Sequence, residues 1–163
     1  MGNKYAKNDI KILCELIESS SITIRELGNK LNIHPNTVLK RIKKLERDEV
    51  IIKNHSEIDF NKLGYDLRAL IHIKVRMGDD WETEIKELIK IPQILSFYAV
   101  TGISDFVAMV VTRDKKELEE VLRKFQKNKV IIDTTTHLMI SCYKHPYEYN
   151  PFKIENLNSL VDD

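Results

Sequence analysis

Between Pro35 and Leu45 the sequence places Lys40, Arg41, Lys43 and Lys44 and no acid. Such side chains neutralise phosphate oxygens and release condensed counterions, an attraction that is independent of base sequence. Asn36 and Thr37 lie one turn earlier. Short polar residues near the start of a helix can reach base edges in a major groove about 12 Å wide. Asn36, Thr37, Lys40, Arg41, Lys43 and Lys44 are therefore the candidate contacts to double-stranded DNA. Read alone, such a run more commonly means an ordinary solvated helix face. The element that carries it separates the two readings.

Val38, Ile42 and Leu45 form the apolar stripe of a helix that opens at Pro35, whose missing N–H costs nothing at the first helical position. The six candidates then face outward. Upstream, Ile10, Leu13 and Ile17, with Leu16 beside them, predict a first helix from Asp9 that stops at Ser19-Ser20-Ser21. Thr23 and Glu26 have capping-box spacing and predict a second helix over 24–31. Asn32 suits a left-handed turn, and Gly28 suits a close approach between two helices. Three short helices with a sharp turn before a cationic last helix suit the major groove. Two β-prone runs around Asn54-His55-Ser56 predict a wing-like hairpin.

The second half changes period. Arg68 to Met77 alternates, with Ala69, Ile71, Ile73, Val75 and Met77 on one face and Arg68, His72, Lys74 and Arg76 on the other, as a half-buried strand does. A helix over 80–89 buries Trp81, Ile85, Leu88 and Ile89. Strands over 94–100 and 106–112 flank Thr101-Gly102-Ile103-Ser104-Asp105. A further helix opens at Asp114-x-x-Glu117 with Leu118, Val121, Leu122 and Phe125 inward, and a last strand spans 130–143. The order β-α-β-β-α-β is the ferredoxin-like plan. The fold class expected is α+β: a winged helix-turn-helix domain over 1–50, a wing and linker over 51–63, the βαββαβ domain over 64–144, and an extended tail over 145–163.

Composition narrows the function classes. The chain has 163 residues and a net charge of +1, with 11 basic and 9 acidic residues in positions 1–60 against 15 and 16 in the rest. The basic run is thus local. No apolar run approaches the roughly 20 residues that cross a bilayer, and the N-terminus lacks a secretory pattern, so a cytoplasmic protein without membrane contact is expected. Cys14 and Cys142, far apart, are expected as reduced and buried. His34, His55, His72, His137 and His145 lack metal-ligand spacing, and no nucleotide loop or catalytic constellation is present. Neither a metal, a cofactor nor an enzyme activity is expected.

The runs Asp9-Ile10-Lys11-Ile12-Leu13, Glu26 to His34 and Val38 to Glu46, followed by Val50-Ile51, resemble the N-terminal domain of the Lrp/AsnC (feast/famine) transcription regulators. Lys62-Leu63-Gly64, the Thr101-Gly102-x-x-Asp105 hairpin and Thr134-Thr135-Thr136 are similar to that family's effector domain. Ala6, His34 and Glu49 depart from it, standing where a capping Asp, a Ser cap and a Gly are common. The resemblance implies a homo-oligomer whose βαββαβ domains dimerise through the sheet, assemble further, and bind a small effector, often an amino acid, near the hairpin. Gly102 would expose backbone N–H groups to a carboxylate, Asp105 would hold an ammonium, and Thr101 and Ser104 would add hydrogen bonds, with Tyr98 and Thr136 as lesser candidates. Equally, Gly102 and Asp105 only make and cap a turn. Two other functions share the plan: a haem-pathway decarboxylase using His72 or His137, and a partner that only joins other regulators into mixed oligomers.

Overall fold

The computed structural model describes residues 5–53, 56, 58–144 and 149–154. They belong to two units, Met1–Glu57 with Tyr143–Asp163, and Ile58–Cys142. In the first, α1 (Lys7–Glu18), α2 (Ile24–Leu31) and α3 (Pro35–Arg47) enclose Ile12, Leu27, Val38 and Leu45. Ala6 has no side chain with which to cap α1. Asp9 compensates by accepting the Ala6 N–H at 3.1 Å. The box on α2 forms as expected: Thr23 Oγ1 accepts the Glu26 N–H at 3.2 Å and Glu26 Oε2 accepts the Thr23 N–H at 2.9 Å. These Thr23 donors hold the Glu26 carboxyl below its ordinary range.

The turn into α3 has Asn32 at φ 55°, and the Ile33 N–H donates to the Gly28 carbonyl at 2.9 Å. A Cβ on Gly28 would lie 2.7 Å from the Ile33 carbonyl oxygen, so the turn's own backbone demands the glycine. His34 caps α3, its Nδ1 accepting the Asn36 N–H at 3.3 Å. At the other end the Val50 N–H reaches the Leu45 carbonyl at 2.9 Å, closing a Schellman-type end with Glu49 at φ 56° in the left-handed position.

Three expectations change. Of the wing, residues 50–53, 56 and 58–60 belong to no strand, while Asn54, His55 and Glu57 lie outside the described residues. The tail's residues 145–148 and 155–163 also lie outside them, but 149–154 are docked rather than extended. Asn150, 5% exposed, donates to Glu18 Oε1 at 2.8 Å, and Pro151–Ile154 form a single helical turn, α6. Cys14 is half-buried and Cys142 is exposed, against the expectation of two buried thiols.

In the second unit β1 (Leu67–Val75), α4 (Trp81–Leu88), β2 (Ile94–Ala99), β3 (Phe106–Thr112), α5 (Lys115–Gln126) and β4 (Ile131–Leu138) follow the expected order. The sheet runs β2-β3-β1-β4, with every neighbouring pair antiparallel. Ala69, Ile71, Ile73 and Val75 of β1 and Phe106, Ala108 and Val110 of β3 pack under Ile85, Leu88, Leu118, Val121 and Phe125 of the two helices. Met77, beyond the end of β1, is 64% exposed, and Ile89, beyond α4, is 47% exposed, so neither joins that core. β4 ends at Leu138, opposite Ala69, with one further bond from the Met139 N–H to the Arg68 carbonyl at 2.8 Å; residues 141–143 lie past the register of Leu67, where β1 begins.

Asp114 caps α5 by accepting the Glu117 N–H at 2.8 Å. The Glu117 carboxylate does not complete the box. It accepts instead from the Arg113 N–H at 2.8 Å, Gln93 Nε2 at 2.9 Å and Arg113 Nε at 3.2 Å. The Arg113 N–H, then Gln93 and the Arg113 guanidinium hold this carboxyl down to about 2. Stability from a depressed carboxylate is present above its unfolded value and is lost as pH falls through the folded one. Chemical denaturation should therefore show Glu117→Gln weakening the sheet unit by roughly 1–3 kcal/mol at neutral pH, with the difference from wild type closing between about pH 4.5 and 2. Glu49→Gly, which removes a Cβ from a left-handed position, should raise the melting temperature of the helical unit through about 0.5–1 kcal/mol; a lower value would contradict the Schellman assignment.

Candidate nucleic-acid and effector sites

Helical geometry places Asn36, Lys40, Lys43 and Lys44 along one side of α3, with Thr37 at its edge, and Val38, Ile42 and Leu45 on the opposite side. Asn36, Thr37, Lys40, Lys43 and Lys44 are all exposed. Lys40 and Lys43 have no hydrogen-bond or ion-pair partner among the described residues. The Lys44 ammonium lies 5.9 Å from the centre of the Tyr5 ring. Attraction to the ring's negative face can hold this long side chain beside α1 while its charge stays on the surface.

Arg41 departs from the expectation of an outward, free charge. Its position on α3 turns toward α1, where Nη1 donates to Asp9 Oδ1 at 2.7 Å. The Asp9 side chain is 1% exposed and that of Arg41 30%. One carboxylate therefore satisfies two demands: Oδ2 holds the start of α1 and Oδ1 holds α3. A buried carboxylate without its partner is costly, so the pair fixes how α3 sits on α1. The electrostatics of the candidate face consequently reside in lysines, not in Arg41.

Two participants escaped the sequence reading. Asp9 is 32 residues from Arg41, and only its place at the third position of α1 distinguishes it. Arg47 extends the cationic side because α3 runs two residues past Leu45; its side chain is 76% exposed, with only a loose 3.7 Å pairing to Asp48.

At the β2–β3 connection Gly102 has φ 122°, a conformation that favours glycine, and Thr101 and Gly102 are exposed. Ser104 and Asp105 are half-buried. Asp105 accepts the Val75 N–H through Oδ2 at 2.8 Å, and its Oδ1 lies 3.8 Å from Lys74 Nζ. Lys74 also donates to the Ile103 carbonyl at 3.1 Å, and the Asp105 N–H donates to Ile73 at 2.9 Å. Asp105 thus clasps the hairpin to the end of β1, and Lys74 already matches its charge. The cation at this hairpin is Lys74, which the sequence reading had placed only on a strand face.

Tyr98 and Thr136 do not converge. Tyr98 pairs with Val107 and Val107 with His72, so Tyr98 belongs to the face away from the helices. Thr136 pairs with Ile71, on the helix-covered face. They also occupy the two edge strands, three strand spacings or about 14 Å apart.

Residues 6–52 match the winged helix-turn-helix DNA-binding domain, and residues 68–149 match the Lrp/AsnC ligand binding domain. An HTH-type transcriptional regulator of Pyrococcus furiosus is 31% identical across 88% of this chain and 96% of its own length. The chain belongs to the Lrp/AsnC family. It is a DNA-binding transcription regulator with a ligand-binding domain of that family, whose members are regulators. FL11, another HTH-type transcriptional regulator of P. furiosus, is 30% identical across 86% of this chain and 92% of its own. Among solved structures, the fold is shared with the transcriptional regulator NMB0573 of Neisseria meningitidis, determined as an L-Met complex. That match has a TM-score of 0.86 at 23% identity and covers 93% of this chain and all of that one. Escherichia coli AsnC gives a TM-score of 0.80 at 22% identity over 88% of this chain and 97% of its own. Among the described residues, no helix is long and apolar enough to cross a membrane.

The assignment of Arg41 separates two effects of mutation. Arg41→Ala should unfold the helical unit more easily by about 2–4 kcal/mol, because Asp9 is left buried without its partner. Lys40→Ala should change stability by under about 0.5 kcal/mol while weakening DNA binding. Equal thermal stability of the two variants would contradict the buried pair.

Proposed function

We propose that the protein is a cytoplasmic homo-oligomer that regulates transcription by inserting α3 into the major groove of a pseudo-palindromic operator, and that it acts by binding rather than catalysis. The carrying observation is the side of α3 where Lys40 and Lys43 stand without partners among the described residues, beside exposed Asn36 and Thr37. Lys40, Lys43 and Lys44, with Arg47, neutralise phosphates. Asn36 and Thr37, close to the helix start, touch base edges. Arg41 contributes by positioning α3. Paired subunits read half-sites one or more helical turns apart, ~34 Å per turn.

Self-association is assigned to the sheet face that α4 and α5 leave uncovered. Leu70 of β1 and Val107 and Met109 of β3 stand there half-buried. A second copy of the same face covers them as an isologous dimer, and dimers assemble further. The effector assigned to the hairpin is an amino acid or similar small zwitterion. The L-Met bound by the Neisseria regulator supports that class. The N–H groups of exposed Thr101 and Gly102, together with Lys74, meet its carboxylate; Ser104 adds a hydrogen bond, and Asp105 keeps the loop in place.

DNA binding should weaken steeply with salt, log K falling by about 0.9 per neutralised phosphate for each decade of salt, and Lys40→Ala or Lys43→Ala should each flatten that slope by about 0.9. Gel-shift titration against genomic fragments measures both; no binding at ~50 mM salt by a folded protein overturns the proposal. In a thermal-shift screen of the common amino acids, at least one should raise the melting temperature of wild type but not of Gly102→Val.

A further inference from the structure

The uncovered face of the sheet carries two imidazoles in contact. The rings of His72 and His137 stand 5.2 Å apart, centroid to centroid, and are nearly perpendicular at 80°. They come from adjacent strands one register step apart: His72 of β1 pairs with Thr135 of β4, and Leu70 with His137. Edge-to-face contact suits two neutral rings, whereas two imidazolium cations at this spacing repel each other.

Little on that face can offset such a charge. β1 contributes Arg68 and Lys74, with Arg76 just past its end; β4 contributes Asp133, level with Lys74, and Asp105 Oδ1 lies 3.8 Å from Lys74 Nζ. β2 contributes Tyr98, and β3 only Val107, Met109 and Val111. The helices pack against the opposite face, beneath Ile71, Ile73, Ala108 and Val110. Protonating the histidines would therefore add positive charge to a strip that already sets three cations against two carboxylates.

We infer that His72 and His137 form a proton-controlled gate on self-association, allowing two sheets to close while the rings are neutral and loosening them when protons are taken up. The inference rests on the sheet-to-sheet dimer proposed above. Stacked sheets lie about 10 Å apart with interdigitated side chains, and a charge enclosed there loses its hydration. The separated protomer consequently binds more protons than the dimer. By linkage, association is strongest while the rings are neutral and weakens as pH falls and protons are taken up. If one imidazole per copy changes state, the dimer dissociation constant rises on the order of 100-fold between about pH 7.5 and 5.5.

Sedimentation equilibrium of the full chain across that range, at fixed ionic strength, tests the gate beside His72→Gln, His137→Gln and the double variant. Circular dichroism at each pH confirms the folded state. Wild type should weaken on the order of 100-fold, each single variant by less, and the double variant by no more than about threefold. If the double variant does not fold, the two single variants carry the comparison. A wild-type dimer with a flat pH dependence, or variants that track wild type, overturns the gate and leaves the dimer standing. A wild type that stays monomeric at about pH 8 overturns the dimer, and the gate with it.

Discussion

The Asp9–Arg41 pair governs the arrangement of the helical unit. A single buried carboxylate caps α1 and anchors α3, so the direction in which α3 presents its other cations is set by one charge-assisted bond at 2.7 Å. Arg41 is thereby turned toward α1 and half-buried, while Lys40, Lys43 and Lys44 are exposed. The division is physically economical. Arginine's planar fork makes a well-directed bond to a carboxylate, whereas lysine keeps a compact, hydrated charge on a flexible stem that suits phosphate. Gly28 and Asn32 complete the constraint by letting the chain reverse tightly enough for Pro35 to open α3 beside α2.

The effector half follows the same economy. Asp105 joins the hairpin to β1 through the Val75 N–H and Lys74, so the Gly102 turn is held at its base while Thr101 and Gly102 stay accessible. A carboxylate used in this way organises the loop through a backbone N–H and a neighbouring ammonium. The sheet is equally divided: the face under α4 and α5 is closed by Ile, Val and Phe, and the other carries half-buried apolar residues mixed with His72 and His137.

Much of this was legible in the sequence because it is local. Helix periodicity, the Thr23–Glu26 box, Pro35 and the alternation of β1 depend on residues a few positions apart, and the structure reproduces them. Glu49 was legible only as a departure from the family's usual Gly, and its φ of 56° explains why a Gly is common there. Long-range partners were not legible. Nothing within a few residues of Arg41 points to Asp9, nor does anything near Asn150 point to Glu18, 132 positions away. Nor was it legible that Tyr98 and Thr136 stand on opposite faces, since only the strand order and register decide it. The β-prone residues 50–53 formed no strand because a strand requires a partner in register, which propensity alone does not supply.

The most direct test of the account is a nitrogen-edited NMR titration of the protein with an operator duplex, following the backbone and side-chain signals of α3. Asn36, Thr37, Lys40 and Lys43 should shift on binding, while the Arg41 guanidinium keeps the slow exchange of a group bonded to Asp9 in the free and bound states. Arg41 signals that move to a phosphate-bound position while the lysines stay unchanged would contradict the account.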